Sequence, residues 1–359
     1  MTAHYCQEVF NVLPGDPASY HVQSLNNGLI NRSFRVVPAD GSPAFLLQEI
    51  NLSVFPEPEK VQRNYERIDA HIRASGSDFR IPCMLYFPGG HNLFTDSRGH
   101  CWRMFSFIEN GRTLRVPSNT EQAAAAAECF ARFTAACEGL RFEQLYTVIP
   151  GFHDLALRYR QFTQTASDPV PARSLKAKEM TEEVIRRQQY VTLFENITRA
   201  GRLPLRIIHH DAKIANVLFR RDRDEVICPV DFDTCMPGYF FSDLGDLIRS
   251  MACSEGENEK DPGKIRIIPE AYKAITEGYT RGLGNLITGE EKQYLHVSGL
   301  FLIYMQTLRF LTDYLAGDPY YRIEYPEQNY DRALNQLTLL KSLEEFLQDT
   351  YNFTGRSIQ

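Results

Sequence analysis

The sequence predicts an α+β protein of two lobes, a small lobe built on an antiparallel sheet followed by a larger, mainly helical one. Three observations carry this. In the first hundred or so residues, short β-branched or aromatic runs alternate with turn residues. From about residue 118 the texture becomes helical. Within that helical part, Leu205 to Asp233 forms a strand-rich island.

Tyr20–Leu25, Ser33–Val37 and Phe45–Ile50 read as strands, separated by Asn26-Asn27-Gly28 and by Pro38 to Pro43. A helix is expected over Glu57–Ala74, where Val61, Tyr65, Ile68 and Ile72 recur at three-to-four spacing. Strands near Met84–Phe87 and Trp102–Ile108 complete the first lobe, which is taken as residues 1–109, with 110–359 as the second. Thr120–Gly139 is alanine-rich and helical in propensity, and the Ala123–Ala127 run is read as helix and nothing more. Further helices are expected over Glu179–Arg199, Asp243–Ala252, Pro269–Gly282, Glu290–Leu315 and Glu327–Tyr351.

The 359 residues, 43% hydrophobic and 23% charged, suit a packed globular chain with room for two lobes. A net charge of −6 supplies no basic face for nucleic acid. The cluster Arg220, Arg221 and Arg223 reads as a solvated turn between strands. Eight cysteines without a Cys-x-x-Cys pair point to neither zinc nor thioredoxin-like chemistry. Neither a signal-peptide pattern nor a bilayer-length apolar run is visible. The expectation is a cytoplasmic protein with free thiols and with no membrane, nucleic-acid or protein partner.

The chemistry lies in the island. Ile207-Ile208-His209-His210-Asp211-Ala212-Lys213-Ile214-Ala215-Asn216 runs from an apolar strand through a polar loop to another apolar strand. Fifteen residues beyond Asn216 stands Asp231-Phe232-Asp233. This is the His-x-Asp-x-x-x-x-Asn plus Asp arrangement of a phosphoryl-transfer site. Such a reaction needs an in-line nucleophile and neutralised phosphates more than covalent help. Asp211 is placed to accept a hydroxyl proton, and His209 to orient the loop by hydrogen bonds. Asn216 and Asp231 offer hard oxygen ligands to magnesium. Each fragment alone would be an ordinary turn or surface acid; their order, each beside an apolar strand, is what points to catalysis. There is no Gly-x-x-x-x-Gly-Lys-Ser/Thr loop, and Gly282-x-Gly284 lacks the dinucleotide-binding spacing. Gly-x-Ser-x-Gly and His-Glu-x-x-His are absent too.

At these residues the chain resembles the aminoglycoside phosphotransferase and choline kinase superfamily, whose fold is protein-kinase-like. Within it, the chain is similar to the bacterial N-acetylhexosamine 1-kinases. Besides the catalytic loop, the resemblance rests on Asn27-Gly28-Leu29-Ile30-Asn31, Gln48-Glu49-Ile50-Asn51, Gly151-Phe152-His153-Asp154, Asp231 to Gly238, Asp243-Leu244-Gly245-Asp246 and Arg309 to Tyr320. It implies ATP and Mg2+ as cofactors and the anomeric hydroxyl of N-acetylglucosamine or N-acetylgalactosamine as acceptor. It makes Asp211 the base and Asn216 and Asp231 the metal ligands. The nucleotide would lie between the lobes, against Phe107-Ile108-Glu109. The turn holding Asn27, Gly28 and Asn31 would cover the phosphates, and Arg309 and Tyr320 would meet the sugar. Two readings stay open for Arg309, a sugar contact or a salt bridge to Asp313 on the same helix. For Tyr320 the alternative is a packed surface aromatic. Asp243 and Asp246 are read as a helix cap and a structural anion.

One departure matters. Protein kinases place a lysine on the third strand, paired with a glutamate on the next helix. Here Gln48 stands where the lysine would fall, and Glu66 would be the acidic partner. Arg63 and Lys60 are candidates to neutralise the phosphates instead. The competing functions are a phosphotransferase of the same fold for an aminoglycoside, choline, homoserine or another sugar, and a nucleotide-binding pseudokinase.

Overall fold

Six antiparallel strands build the N-terminal lobe: β1 (Tyr20–Leu25), β2 (Arg32–Pro38), β3 (Phe45–Ile50), β4 (Met84–Leu85), β5 (Phe94–Thr95) and β6 (Cys101–Ser106). Their order is β1-β2-β3-β6-β4, with β5 also paired to β6. The computed structural model describes residues 5–25 and 30–354. Strand alternation sends side chains to two different apolar clusters. Phe45 and Leu47 of β3, with Trp102 and Met104 of β6, pack beside Val9 and Phe10 of a short helix, α1 (Gln7–Val12), which the sequence did not announce. Leu46 and Phe105 face the other way, against Tyr65, Ile68 and Ile72 of α2 (Pro58–Ala74). That second cluster continues into Phe133, Ile207, Phe232 and Cys235 of the other lobe, so α2 sits over apolar material from both. Asn64 of α2 adds a polar link, its Nδ2 donating to the carbonyl oxygens of Tyr146 and Cys235.

The second lobe begins with β7 (Gly111–Arg112), α3 (Thr120–Ala136), α4 (Leu155–Ser167), α5 (Pro171–Ile185) and α6 (Gln189–Arg199). The island follows as β8 (Arg206–Ile208), β9 (Val217–Arg220), β10 (Val226–Pro229) and β11 (Met236–Gly238). β11 pairs with β8, while β9 lies between β10 and β7. The chain closes with α7 (Phe241–Met251), α8 (Pro269–Leu283), α9 (Gly289–Gln293), α10 (Val297–Ala316) and α11 (Gln328–Tyr351). Helix α10 is buried on nearly every side, as its almost continuous apolar run requires. The architecture is α+β and protein-kinase-like, a small antiparallel sheet against a larger helical body.

Several expectations need correction. The segment Glu179–Arg199 is two helices, α5 and α6, broken at Arg186–Gln188. There Arg187 is held by Glu344 at 2.9 Å through both Nε and Nη2, and it also bonds Glu183. Glu290–Leu315 is likewise α9 and α10, with the break at Tyr294–His296. Helix α4 was missed, although Asp154 caps it by accepting from the Leu157 N–H at 2.9 Å. The alanine run of α3 does more than favour a helix. A Cβ on Gly278 of α8 would lie 2.3 Å from the Ala124 carbonyl oxygen, and one on Gly282 2.6 Å from that of Glu128. Small residues on both helices permit this close approach. Among the described residues no helix is long and apolar enough to cross a membrane.

Candidate active site

A buried carboxylate holds the start of the loop after β8. Asp243 of α7 accepts the backbone N–H of His209 at 3.0 Å through Oδ2 and that of His210 at 2.7 Å through Oδ1. This holds His210 in left-handed backbone geometry, φ 63°. Burial pushes the Asp243 carboxyl up to about 7, although the two N–H bonds pull it down. Asp243 is therefore a clamp on the loop and not the expected helix cap. His209 is fully buried among Phe130, Phe133 and Phe232. Its Nε2–H faces the Val230 carbonyl oxygen at 3.0 Å, and its Nδ1 accepts the Asp211 N–H at 3.3 Å. Burial lowers its pKa to about 4, so the ring is neutral and links the loop to Val230 through its two hydrogen bonds.

Asp211, Lys213, Asn216 and Asp231 converge. Asp211 Oδ2 accepts from Lys213 Nζ at 2.9 Å and from Asn216 Nδ2 at 2.8 Å. Burial raises the Asp211 carboxyl, but Lys213, His209 and the Asn216 hydrogen bond outweigh it, and the net pKa lies below the ordinary aspartate value. Asp231 follows β10 in left-handed backbone, φ 67°. Its carboxyl is pushed well up, first by burial and then by the charges of Asp233 and Asp211. A buried acid surrounded by other acids gains from a cation, and the amide oxygen type of Asn216 suits the same hard ion. The residues present therefore fit magnesium.

In the sheet of the small lobe, Arg103 of β6 is the residue the sequence reading missed. Its guanidinium grips Asp233 bidentately, Nη1 at 2.5 Å and Nη2 at 2.9 Å, and both residues are buried. Asn31 Nδ2 donates to the same Asp233 carboxylate at 2.6 Å, and Asn31 Oδ1 accepts the Asn51 N–H at 3.0 Å. Gln48, at the expected lysine position, pairs in register with Arg103 and accepts from its Nε at 3.1 Å. A cation inside the apolar run Cys101-Trp102-Arg103-Met104-Phe105 was the signal available in the sequence.

Other expected residues fall as follows. Asn27 and Gly28 lie outside the described residues. Glu66 is not the partner of the strand: it accepts from Asn92 Nδ2 at 2.7 Å. The α2 residue that meets Arg103 is Gln62, one turn earlier, whose Oε1 accepts from Arg103 Nη1 at 3.3 Å. Lys60 and Arg63 gather at the Tyr146 ring and hydroxyl, with no contact to the Asp211 loop among the described residues. In the connecting segment, the Phe107 N–H bonds the Ala44 carbonyl at 3.2 Å, its ring lies 5.0 Å below Arg35, and Glu109 pairs with Arg35 at 2.6 Å. Ile108 between them is partly exposed.

Arg309 of α10 makes no salt bridge to Asp313. Asp313 instead accepts the N–H groups of Tyr320 and Tyr321, both at 2.8 Å, fixing the loop that carries Tyr320. The Arg309 guanidinium lies 5.5 Å from the Phe152 ring, 5.8 Å from Tyr320 and 5.5 Å from Tyr321, and donates to Gln306 at 3.2 Å. Tyr320 is 70% exposed. Phe152 stacks on His153, 4.6 Å away, and lies 6.4 Å from the His210 ring beside Asp211. Asp246 pairs with Arg249 at 2.8 Å, as a structural anion.

Residues 21–283 match the phosphotransferase enzyme family, APH. The chain belongs to this family. Among solved structures, the phosphotransferase is similar to an aminoglycoside phosphotransferase from Alicyclobacillus acidocaldarius (TM-score 0.61, 15% identity, 93% of this chain and 94% of that one). It is similar also to choline kinase from Cryptosporidium parvum (0.58, 15%, 99% and 98%). A third likeness is to spectinomycin phosphotransferase in complex with ADP and spectinomycin (0.58, 12%, 94% and 98%). At these identities the likeness speaks for the fold, and the family match speaks for phosphotransfer to a small molecule.

Proposed function

We propose that this phosphotransferase moves the γ-phosphate of ATP to the anomeric hydroxyl of an N-acetylhexosamine, N-acetylglucosamine or N-acetylgalactosamine, yielding the sugar 1-phosphate. The observation that carries the acceptor class is Arg309. It sits among three aromatic rings and, among the described residues, meets no carboxylate within salt-bridge distance. Aminoglycosides and choline are cations and gain from carboxylates or an unoccupied aromatic cage. A guanidinium in that position opposes them, and Arg158 lies close enough to be pulled below its usual pKa, first by burial and then by Arg309. A neutral acetylated sugar offers oxygens to the fork and a ring face to Tyr320.

Asp211 takes the acceptor proton as the new O–P bond forms and the bond from the γ-phosphorus to the bridging oxygen breaks, leaving ADP. Its depressed pKa keeps it ionised at neutral pH. An anomeric hydroxyl is more acidic than an ordinary alcohol, so a carboxylate base suffices. Lys213, held at 2.9 Å from Asp211, keeps a positive charge beside the reacting groups. His209 and Asp243 fix the loop that presents Asp211. Asn216 and Asp231 would hold Mg2+, which when bound neutralises charge on the phosphates. Phe107, Ile108 and Glu109 are assigned to the nucleotide base, and the lobe division to the step between residues 109 and 110. The eight cysteines are free thiols, in keeping with a cytoplasmic setting.

The test is ADP release with ATP and Mg2+ over a panel of N-acetylglucosamine, N-acetylgalactosamine, glucose, galactose, kanamycin, choline and homoserine, beside Asp211→Asn. Turnover on the acetylated hexosamines is expected, with kcat falling about 10²–10⁴-fold in the variant. Turnover on kanamycin or choline in their place would overturn the acceptor assignment. Silence on every acceptor with nucleotide still bound would favour the pseudokinase.

A further inference from the structure

Protein kinases hold their nucleotide lobe in register through a third-strand lysine and a glutamate on the next helix. In this chain neither residue does so: β3 carries Gln48, and Glu66 is turned to Asn92. We propose that Arg103 is a positioning residue for the nucleotide, tying the sheet across the cleft to Asp233 in place of that pair. This rests on the nucleotide site described under Proposed function.

The geometry is that of a hub. Arg103 collects β3 through Gln48 at 3.1 Å and α2 through Gln62 at 3.3 Å, and delivers both to Asp233. Asn31, the residue before β2, reaches the same carboxylate at 2.6 Å. So β2, β3, β6 and α2 of one lobe converge on one acid of the other. That acid stands two residues beyond Asp231, whose left-handed backbone has to be held from outside. Asn64 of α2 grips the far end of the same turn at the Cys235 carbonyl, 3.1 Å away.

A buried ion pair adds little stability over well-packed apolar residues. What a bidentate fork does supply is direction. Here it sets the angle and distance between the sheet that would carry the phosphates and the turn that carries Asp231. Gln48 is then no defect. A lysine at that register position would put a second cation against Arg103.

The test is calorimetry of ADP binding to the full chain in Mg2+, without acceptor or turnover, on Arg103→Met, Asp233→Asn, their combination and Arg103→Lys. Each of the first two weakens ADP about tenfold or more, the double variant is no weaker than either single, and Lys falls between. Near-ultraviolet circular dichroism establishes that each variant is folded; should Arg103→Met fail to fold, Arg103→Lys and Asp233→Asn carry the comparison. Unchanged ADP affinity with only a lowered Tm would reduce the pair to packing and overturn the proposal. So would additive losses. So would opposite effects on the Mg2+ needed for ADP binding, since less Mg2+ for Arg103→Met and more for Asp233→Asn would make Asp233 a metal ligand masked by Arg103. No sugar enters the measurement, so the acceptor assignment and this tie stand or fall separately.

Discussion

Asp243→Asn removes one acceptor oxygen while keeping the shape of the side chain. In the wild type both oxygens are used, Oδ1 by the His210 N–H at 2.7 Å and Oδ2 by the His209 N–H at 3.0 Å. Asparagine can accept only one of these, and its NH2 must face the other donor. The site is fully buried, so no water replaces the lost acceptor. An unsatisfied buried N–H costs about 1–3 kcal/mol, a large part of the roughly 5–15 kcal/mol that holds a domain together. Asp243→Ala strips both acceptors and should cost about twice as much. The strain is local, because the lost acceptor serves the N–H at His210, whose backbone is left-handed, or that of its neighbour His209. Urea unfolding should show the global loss, and hydrogen exchange should show the His209 and His210 amides opening before the rest of the core. Activity should fall with the opening, since Asp211 is the next residue in the loop. Wild-type exchange at both amides in Asp243→Asn would refute the clamp.

Four further outcomes follow from particular contacts. Gly278→Ala should destabilise by about 1–3 kcal/mol or more, because its Cβ would meet the Ala124 carbonyl at 2.3 Å. Gly256→Ala, with open space around its Cβ, should be near neutral in the same urea titration. His210→Asn should change the pH dependence of stability. Burial lowers the folded pKa of His210 from 6.5 to about 4, so as pH falls the unfolded chain takes the proton first. The stability this group contributes is present above pH 6.5 and is lost between 6.5 and 4. Relative to the Asn variant, the wild type should lose about 1.4 kcal/mol per pH unit across that window, about 3 kcal/mol in all. A pH-independent difference would show that the ring titrates normally. On the proposed acceptor assignment, Arg309→Met should raise the acceptor KM while leaving ADP affinity alone, as measured by steady-state kinetics and calorimetry, because among the described residues its guanidinium lies against Phe152, Tyr320 and Tyr321 and donates to Gln306.

The sequence by itself determined what local pattern can encode. Short aromatic and β-branched runs bounded by turn residues specified strands at Phe45–Ile50 and from Trp102 onward, and the three-to-four spacing of Val61, Tyr65, Ile68 and Ile72 specified the helix between them. The ordered acids and amide, Asp211, Asn216 and Asp231, pointed to phosphoryl transfer, the activity class of the family that residues 21–283 match. Long-range pairing is not written in any local window. That Asp243 clamps a loop more than thirty residues away, that Arg309 prefers three rings to Asp313, and that Gln62 rather than Glu66 meets Arg103 were decided only when the elements packed. A buried charge such as Arg103 could be noticed in its apolar strand, but its partner Asp233 lies 130 residues on. Periodicity gives the face of a strand. Only the tertiary fold supplies what that face meets, because burial makes an unpaired guanidinium too costly to keep and leaves packing to choose the carboxylate.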